Sequence, residues 1–162
     1  MHNPDDLIRL FNACFASSEN TQLIRGDDEP IYLPADEQTP YHRVVFAHGY
    51  FSSALHECAH WLIAGEARRR CIDYGYWYVP DGRTAVQQAQ FQQVEVKPQA
   101  MEWILSEAAG FRFHFSVDNL NGESTDSESF QLAVQQQVLQ YQTLGLSIRA
   151  ERFRQALRVF YG

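Results

Sequence analysis

His56 and His60 stand four residues apart in the run His56-Glu57-Cys58-Ala59-His60, an HExxH pattern. On a helix, two imidazoles at that spacing project from one face and can grip a single divalent metal ion. The acid between them is the general base when such a site hydrolyses a bond. The chemistry on offer is metal-dependent, provided that the stretch is helical and that a third ligand exists. On a loop, or on a solvated helix, the same five residues arise by accident and bind nothing.

The elements that must position these residues are therefore the first question. Phe51, Leu55, Cys58 and Leu62 recur at helical spacing and predict a helix over Phe51 to Ala64, with the histidines on roughly the opposite side and Ala59 and Ile63 flanking them. A helix apolar almost all round packs between layers, so the histidines are expected to face a covered pocket. Ser52 or Ser53 is the expected N-terminal cap and Gly65 the expected stop.

Four carboxylates compete for the third ligand position. Glu66 lies six residues beyond His60, where a metzincin-type site places its ligand, but only if the helix stops before Gly65 and the chain turns back. Glu102 and Glu107 fall inside the next predicted helix. Glu95 lies just before Pro98, where the chain is expected to enter that helix against a buried neighbour. Each acid also has a plain reading as a surface charge, favoured for Glu66, Glu102 and Glu107 and evenly balanced for Glu95.

The rest of the chain predicts an α+β fold rather than a doubly wound α/β one: a single domain over residues 1–162, with a small mixed β-sheet packed by helices and the HExxH run on a buried central helix. Leu7, Leu10, Phe11 and Phe15 give an opening helix over Pro4 to Ala16. Leu23-Ile24, Ile31 to Leu33 and Arg43 to Ala47 are strand candidates, with a turn at Gly26 to Pro30. The aromatic stretch Cys71 to Val79 predicts a further strand, ended by the turn Pro80-Asp81-Gly82. A helix is expected from Pro98 onward, with the proline in its first turn, then an exposed loop over Asp118 to Ser129 and two more helices. No glycine-rich phosphate loop and no G-x-S-x-G elbow is present.

Composition excludes several classes. The 162 residues are 45% hydrophobic and 14% aromatic, which fits a globular core and not disorder. The net charge of −7, with only Arg68-Arg69-Arg70 clustered, argues against direct nucleic-acid binding; the arginines are expected to be a solvated helix end. Cys14, Cys58 and Cys71 form no paired-knuckle spacing and are expected to be free buried thiols in a reducing cytoplasm. No segment reaches transmembrane length, and the first fifteen residues lack the apolar run of a signal peptide.

Several segments together carry a more specific signal: Gly26 to Ala35, Val45 to Gly49, His56 to Trp61, Ala64-Gly65, Gly75 to Tyr78, Pro80 to Arg83, and Val94-Glu95-Val96-Lys97-Pro98-Gln99-Ala100. In these the chain resembles the bacterial elongation factor P hydroxylase family over nearly its whole length. The resemblance implies a non-haem iron-type hydroxylase that adds a hydroxyl group to the β-lysylated lysine of translation elongation factor P, in the cytoplasm. It also implies a fold like that of a small bacterial metal-dependent endoribonuclease family, and a site of two histidines and one carboxylate. Carried onto this sequence, His56 and His60 are the histidine ligands and Glu95 the carboxylate, with Glu66 in reserve.

Fe(II) and molecular oxygen are the cofactors so implied. Three ligands on one side of the metal leave positions open for oxygen chemistry, which a closed four-ligand site would not. Glu57, with no water to activate, is expected to orient a ligand or handle protons. The His-x-acid pair and arginine anchor of 2-oxoglutarate enzymes are missing, so the sequence names no reductant, and it is equally silent on oligomeric state. Asp27, Asp28, Asp73, Tyr76, Trp77 and Tyr78 are candidate contacts to a cationic substrate by composition, although turn formation and strand packing account for them as well. The alternative function is a zinc-dependent peptidase or nuclease with Glu57 as general base, and a binding module with structural histidines is a third reading.

Overall fold

Asn3 opens α1 (Pro4–Phe15): its side chain accepts from the Asp5 amide, Pro4 needs no donor there, and Asp5 and Asp6 complement the positive helix end. Leu7, Phe11 and Phe15 are fully buried on the inner face of this helix. The structure, a computed structural model, describes residues 2–72, 85–115 and 127–162.

Three strands follow α1: β1 (Thr21–Arg25), β2 (Ile31–Leu33) and β3 (His42–Phe46). β3 lies in the middle, parallel to β1 and antiparallel to β2, which gives the small mixed sheet. Alternation puts Thr21 and Leu23 of β1, and Val44 and Phe46 of β3, on the buried face. Asn12 in α1 accepts from the Leu23 amide at 2.9 Å and so ties the first helix to the sheet. Gly26 is required by close approach: a Cβ there would stand 2.4 Å from Val45 Cγ1. Its amide donates to the Phe46 carbonyl, and the His48 amide donates to the Asp27 carbonyl, which fixes the turn that leads into the next helix.

That helix, α2 (Phe51–Ile63), is central: it touches α1, α3 (Ala85–Ala108), α5 (Ile148–Tyr161), β1 and β3. Tyr50 occupies the N-cap position without a side-chain bond, so Ser52 and Ser53 lie inside the first turn and cap nothing. The helix ends at Ala64 in an extended conformation and needs no left-handed residue, which leaves Gly65 outside the stop it was expected to make. Arg149 completes the end instead. Its guanidinium donates to the carbonyls of Trp61, Leu62 and Ala64 at 3.2–3.3 Å and lies 4.3 Å over the Trp61 ring. Arg149→Ala is expected to lower stability by about 2 kcal/mol, because orphan carbonyls lose a charged donor and the ring loses its cation. Chemical denaturation would show this as a lower midpoint at unchanged slope.

After α2 a short 3₁₀ turn, Arg68–Arg70, is held to the sheet by the Tyr32 hydroxyl, which donates to the Arg69 carbonyl at 2.7 Å. The three arginines are not all solvated: Arg69 is partly buried and faces Trp61 and Glu19. Cys71 and Ile72 lie outside any strand, and the remainder of the strand expected to Val79, with its turn, falls outside the described residues.

α3 departs most from expectation. It begins at Ala85, not Pro98, and carries Pro98 in its interior, where the Val94 carbonyl receives no helical donor. The preceding turns are rich in glutamine and alanine, which favour helix by propensity but show no apolar stripe, so periodicity missed them. Beyond Pro98 the helix divides its apolar residues: Met101 and Leu105 join the core beneath α2, while Ala100 and Ile104 pack on Phe130, Val134 and Val138 of α4 (Ser127–Leu144). Residues 127–129 of the expected loop are the first turn of α4, and the rest of that loop falls outside the described residues. Phe153 and Leu157 of α5 close the main core, and Ser147 caps α5. The three cysteines are free, although only Cys58 is buried and Cys71 is exposed. Among the described residues no helix is long and apolar enough to cross a membrane.

Candidate metal centre

Burial of Phe51, Leu55, Cys58 and Leu62 fixes the rotation of α2 and turns His56 and His60 toward α3, with 18% and 13% of their side chains exposed. From α3, Glu95 and Glu102 point back from one face, seven residues and two helical turns apart, and both are buried. Gln99 and Ser106 continue the same buried polar row.

The donor atoms converge. His56 Nε2 and His60 Nε2 are 3.1 Å apart, Glu95 Oε1 is 3.2 Å from His56 Nε2, and Glu95 Oε2 is 3.0 Å from His60 Nε2. One ligand atom from each residue lies within 4.8 Å of the other two. Atoms roughly 2.1 Å from a common centre are about 3.0 Å apart at mutual right angles and about 3.4 Å apart at tetrahedral angles. The two imidazole nitrogens stand at the right-angled spacing, and each faces a different oxygen of the Glu95 carboxylate, so two histidines and one carboxylate converge as a donor set able to hold a divalent metal. Glu95 Oε2 is buried without a hydrogen bond of acceptable geometry, even with His60 Nε2 so near. A buried carboxylate oxygen left in this condition, facing two imidazole nitrogens, is satisfied by a cation among the three. The residues therefore fit a divalent metal.

Glu102 does something else. Its Oε1 accepts from His56 Nδ1 at 2.6 Å, which fixes the tautomer and leaves Nε2 for the centre. Nothing in its sequence position set it apart from a surface acid, but its seven-residue spacing from Glu95 is the signal that pairs them. Glu102→Ala is expected to weaken metal binding by about 10–100-fold while the fold is kept. A competition titration with a fluorescent chelator reads this directly; unchanged affinity would mean that Glu102 is only a packing residue.

The other candidates lie elsewhere. Glu66 is exposed and pairs with Arg70 at 2.6 Å, away from the histidines, because the chain after Ala64 enters the 3₁₀ turn and does not fold back. Glu107 is exposed on α3. Asp27 and Asp28 are exposed in the turn after β1, where the Asp27 backbone carries the contact to His48. Asp73, Tyr76, Trp77 and Tyr78 lie outside the described residues. Glu57 is rotated toward the sheet and lines a small cavity of about 30 Å³ together with Tyr32, Val44, His60 and Trp61.

Burial and charge set the protonation of the group. Burial pushes the Glu57 carboxyl up, against the pull of His60 and His56. Burial would also raise Glu95, but His60 and His56 outweigh it and hold that carboxyl well below the usual range. Burial would lower His56, but Glu95 and Glu102 outweigh it and raise the imidazole well above its ordinary value. In the metal-free protein the depressed Glu95 stabilises the fold above about pH 4.3, its unfolded value, and that contribution is lost as pH falls toward its native one. The raised His56 stabilises below about pH 6.5, and that contribution is lost as pH rises through its native value. The Tm advantage of chelated wild type over Glu95→Gln is thus expected to be greatest between those limits and to shrink on both sides. A metal held by this group would displace the His56 proton, so its binding is expected to strengthen as pH rises. An advantage flat across pH would show that the cluster is not charged in this way.

The profile of the family described as Elongation factor P hydroxylase matches residues 10–162. The chain is also 55% identical over 160 residues, 99% of its own length and 90% of the relative's, to the "Elongation factor P lysine hydroxylase" of Haemophilus influenzae.

Proposed function

The chain belongs to the elongation factor P hydroxylase family, and from this we propose that it hydroxylates the β-lysylated lysine of translation elongation factor P at a non-haem iron centre held by His56, His60 and Glu95. The observation that carries the metal assignment is the convergence of His56 Nε2, His60 Nε2 and the two Glu95 carboxylate oxygens, at separations of 3.0–3.2 Å. Fe(II) bound there would supply the activation of molecular oxygen that insertion into an unactivated C–H bond requires.

The protein's own residues hold and shield that chemistry. His56, fixed through Nδ1 by Glu102, presents Nε2 without rotating, and the α2–α3 packing holds His60 and Glu95 beside it. Glu57, with its carboxyl pushed up by burial, is suited to hold a proton beside His60 and pass it on. Its role separates this reading from a zinc hydrolase. As the general base of a hydrolase, Glu57 would be indispensable in the absence of oxygen; in the hydroxylase its loss slows an oxygen-dependent reaction. A translation factor as substrate places the reaction in the cytoplasm.

The test is the intact mass of β-lysylated elongation factor P from cells lacking their own hydroxylase, incubated with the iron-loaded protein, a reductant and oxygen. A gain of one oxygen atom, absent under nitrogen and after chelation, is expected. No gain with folded, iron-loaded protein would overturn the assignment for this substrate.

A further inference from the structure

Phe130, Val134 and Val138 bury the inner face of α4 against α3. On the opposite side the helical repeat places Glu128, Leu132, Gln135, Gln136, Leu139 and Thr143, all of them exposed. Leu132 and Leu139 are 57% and 61% exposed, and from Ser129 to Leu144 the helix has no charged residue, in a protein whose net charge is −7. The solvated face of a helix ordinarily carries charge. Leucines seven residues apart in an uncharged seam are the pattern of a helix that packs on another helix.

The order of residues along this face identifies the partner. A two-fold axis crossing α4 between Gln135 and Gln136 relates each residue to the one equally far on the other side. Leu132 then meets Leu139 of a second copy, Gln135 meets Gln136, and Glu128 meets Thr143, whose hydroxyl can donate to the carboxylate. Glutamine amides hold both donors and an acceptor, so they pair reciprocally, as two glutamates or two lysines could not. The inward positions break the symmetry, since Ala133 is related to Val138 and Val134 to Gln137. Only the outward face is self-complementary. Two bodies of like net charge also meet at least cost where neither presents charge.

We propose that this face joins two copies of the chain through an antiparallel α4–α4 contact about a two-fold axis. One helix of 18 residues from each copy buries less than the ~1,600 Å² of a standard interface, so the dimer is weak, with a Kd on the order of 10 μM. No residue of the face belongs to the histidine–carboxylate group, and the contact is independent of the reaction that group performs.

The test is sedimentation velocity of the full chain from about 1 to 100 μM, on either side of the expected constant. Wild type is expected to pass from monomer to dimer over this series and to be insensitive to added salt. Leu139→Glu, which sets a carboxylate against Leu132 of the other copy, is expected to stay monomeric while keeping the far-UV circular dichroism of wild type. The double variant Leu132→Lys/Leu139→Glu is expected to recover the dimer, now weakened by salt, because each substituted position faces the opposite charge on the other copy. Wild type that is still monomeric at about 100 μM would overturn the proposal. A Leu139→Glu protein that dimerises like wild type, or a wild-type dimer that salt dissociates, would place the contact on another surface and overturn it too. A folded double variant that stays monomeric would show that Leu132 does not meet Leu139, which sinks the antiparallel two-fold contact.

Discussion

His60→Ala is expected to abolish hydroxylation and to leave the protein without stoichiometric iron. His60 Nε2 lies close to both remaining residues, 3.1 Å from His56 Nε2 and 3.0 Å from Glu95 Oε2, so its removal takes away two of the three close approaches in the cluster. Glu95 then faces a single imidazole across a void, and two ligands from different helices cannot hold a metal against water as three can. The loss should exceed the ~100-fold upper range for removal of a ligand's hydrogen-bond partner. Iron content by mass spectrometry and oxygen gain in the substrate should fall together, with the far-UV circular dichroism of the wild type retained. Full iron content in a folded His60→Ala protein would show that the metal is held elsewhere.

Phe153→Ala is expected to have the largest effect on stability, about 3–5 kcal/mol, through the cavity left by a fully buried ring. Phe153 packs on Phe11 and Phe15 with centroid separations of 5.6 and 6.2 Å, and those rings lie 5.2 and 4.8 Å from Trp61, the residue after His60. One ring thus supports the contact of α5 with α1 and, through α1, the end of the helix that carries His56 and His60. For a chain of this size, calorimetry should show a Tm lower by roughly 10 °C. Iron should still bind well below the transition, since no ligand is touched. A loss under about 1 kcal/mol would mean that the helices close over the gap.

Much of this architecture was legible in the residues. The apolar stripe of α2 was readable because a period of 3.6 marks which face is buried, and β1 and β3 were found as short strand candidates on either side of turn residues. The first half of α3 was not, since its helix rests on propensity and on packing, and Pro98 pointed to a start where the helix in fact continues. The end of α2 was placed within a residue, but the device that finishes it was not foreseen. Gly65 offered a local stop, but Arg149, far along the chain, supplies the donors that finish the helix.

The centre divides in the same way. His56 and His60 are neighbours because one helix repeats every 3.6 residues, so the sequence alone determines that pair and its capacity to grip a metal. Local pattern put Glu95 only slightly ahead of three other acids, and family resemblance singled it out. The tertiary structure decided what each acid can do. The packing of α3 on α2 carries Glu95 to both histidines and sets Glu102, 46 residues from His56, against its other ring nitrogen, while Glu66 is left in solvent beside Arg70. Ligand spacing along a helix is a property of the chain. Which distant carboxylate meets it, and at which atom, depends on the rotation and depth at which two helices bury their apolar faces.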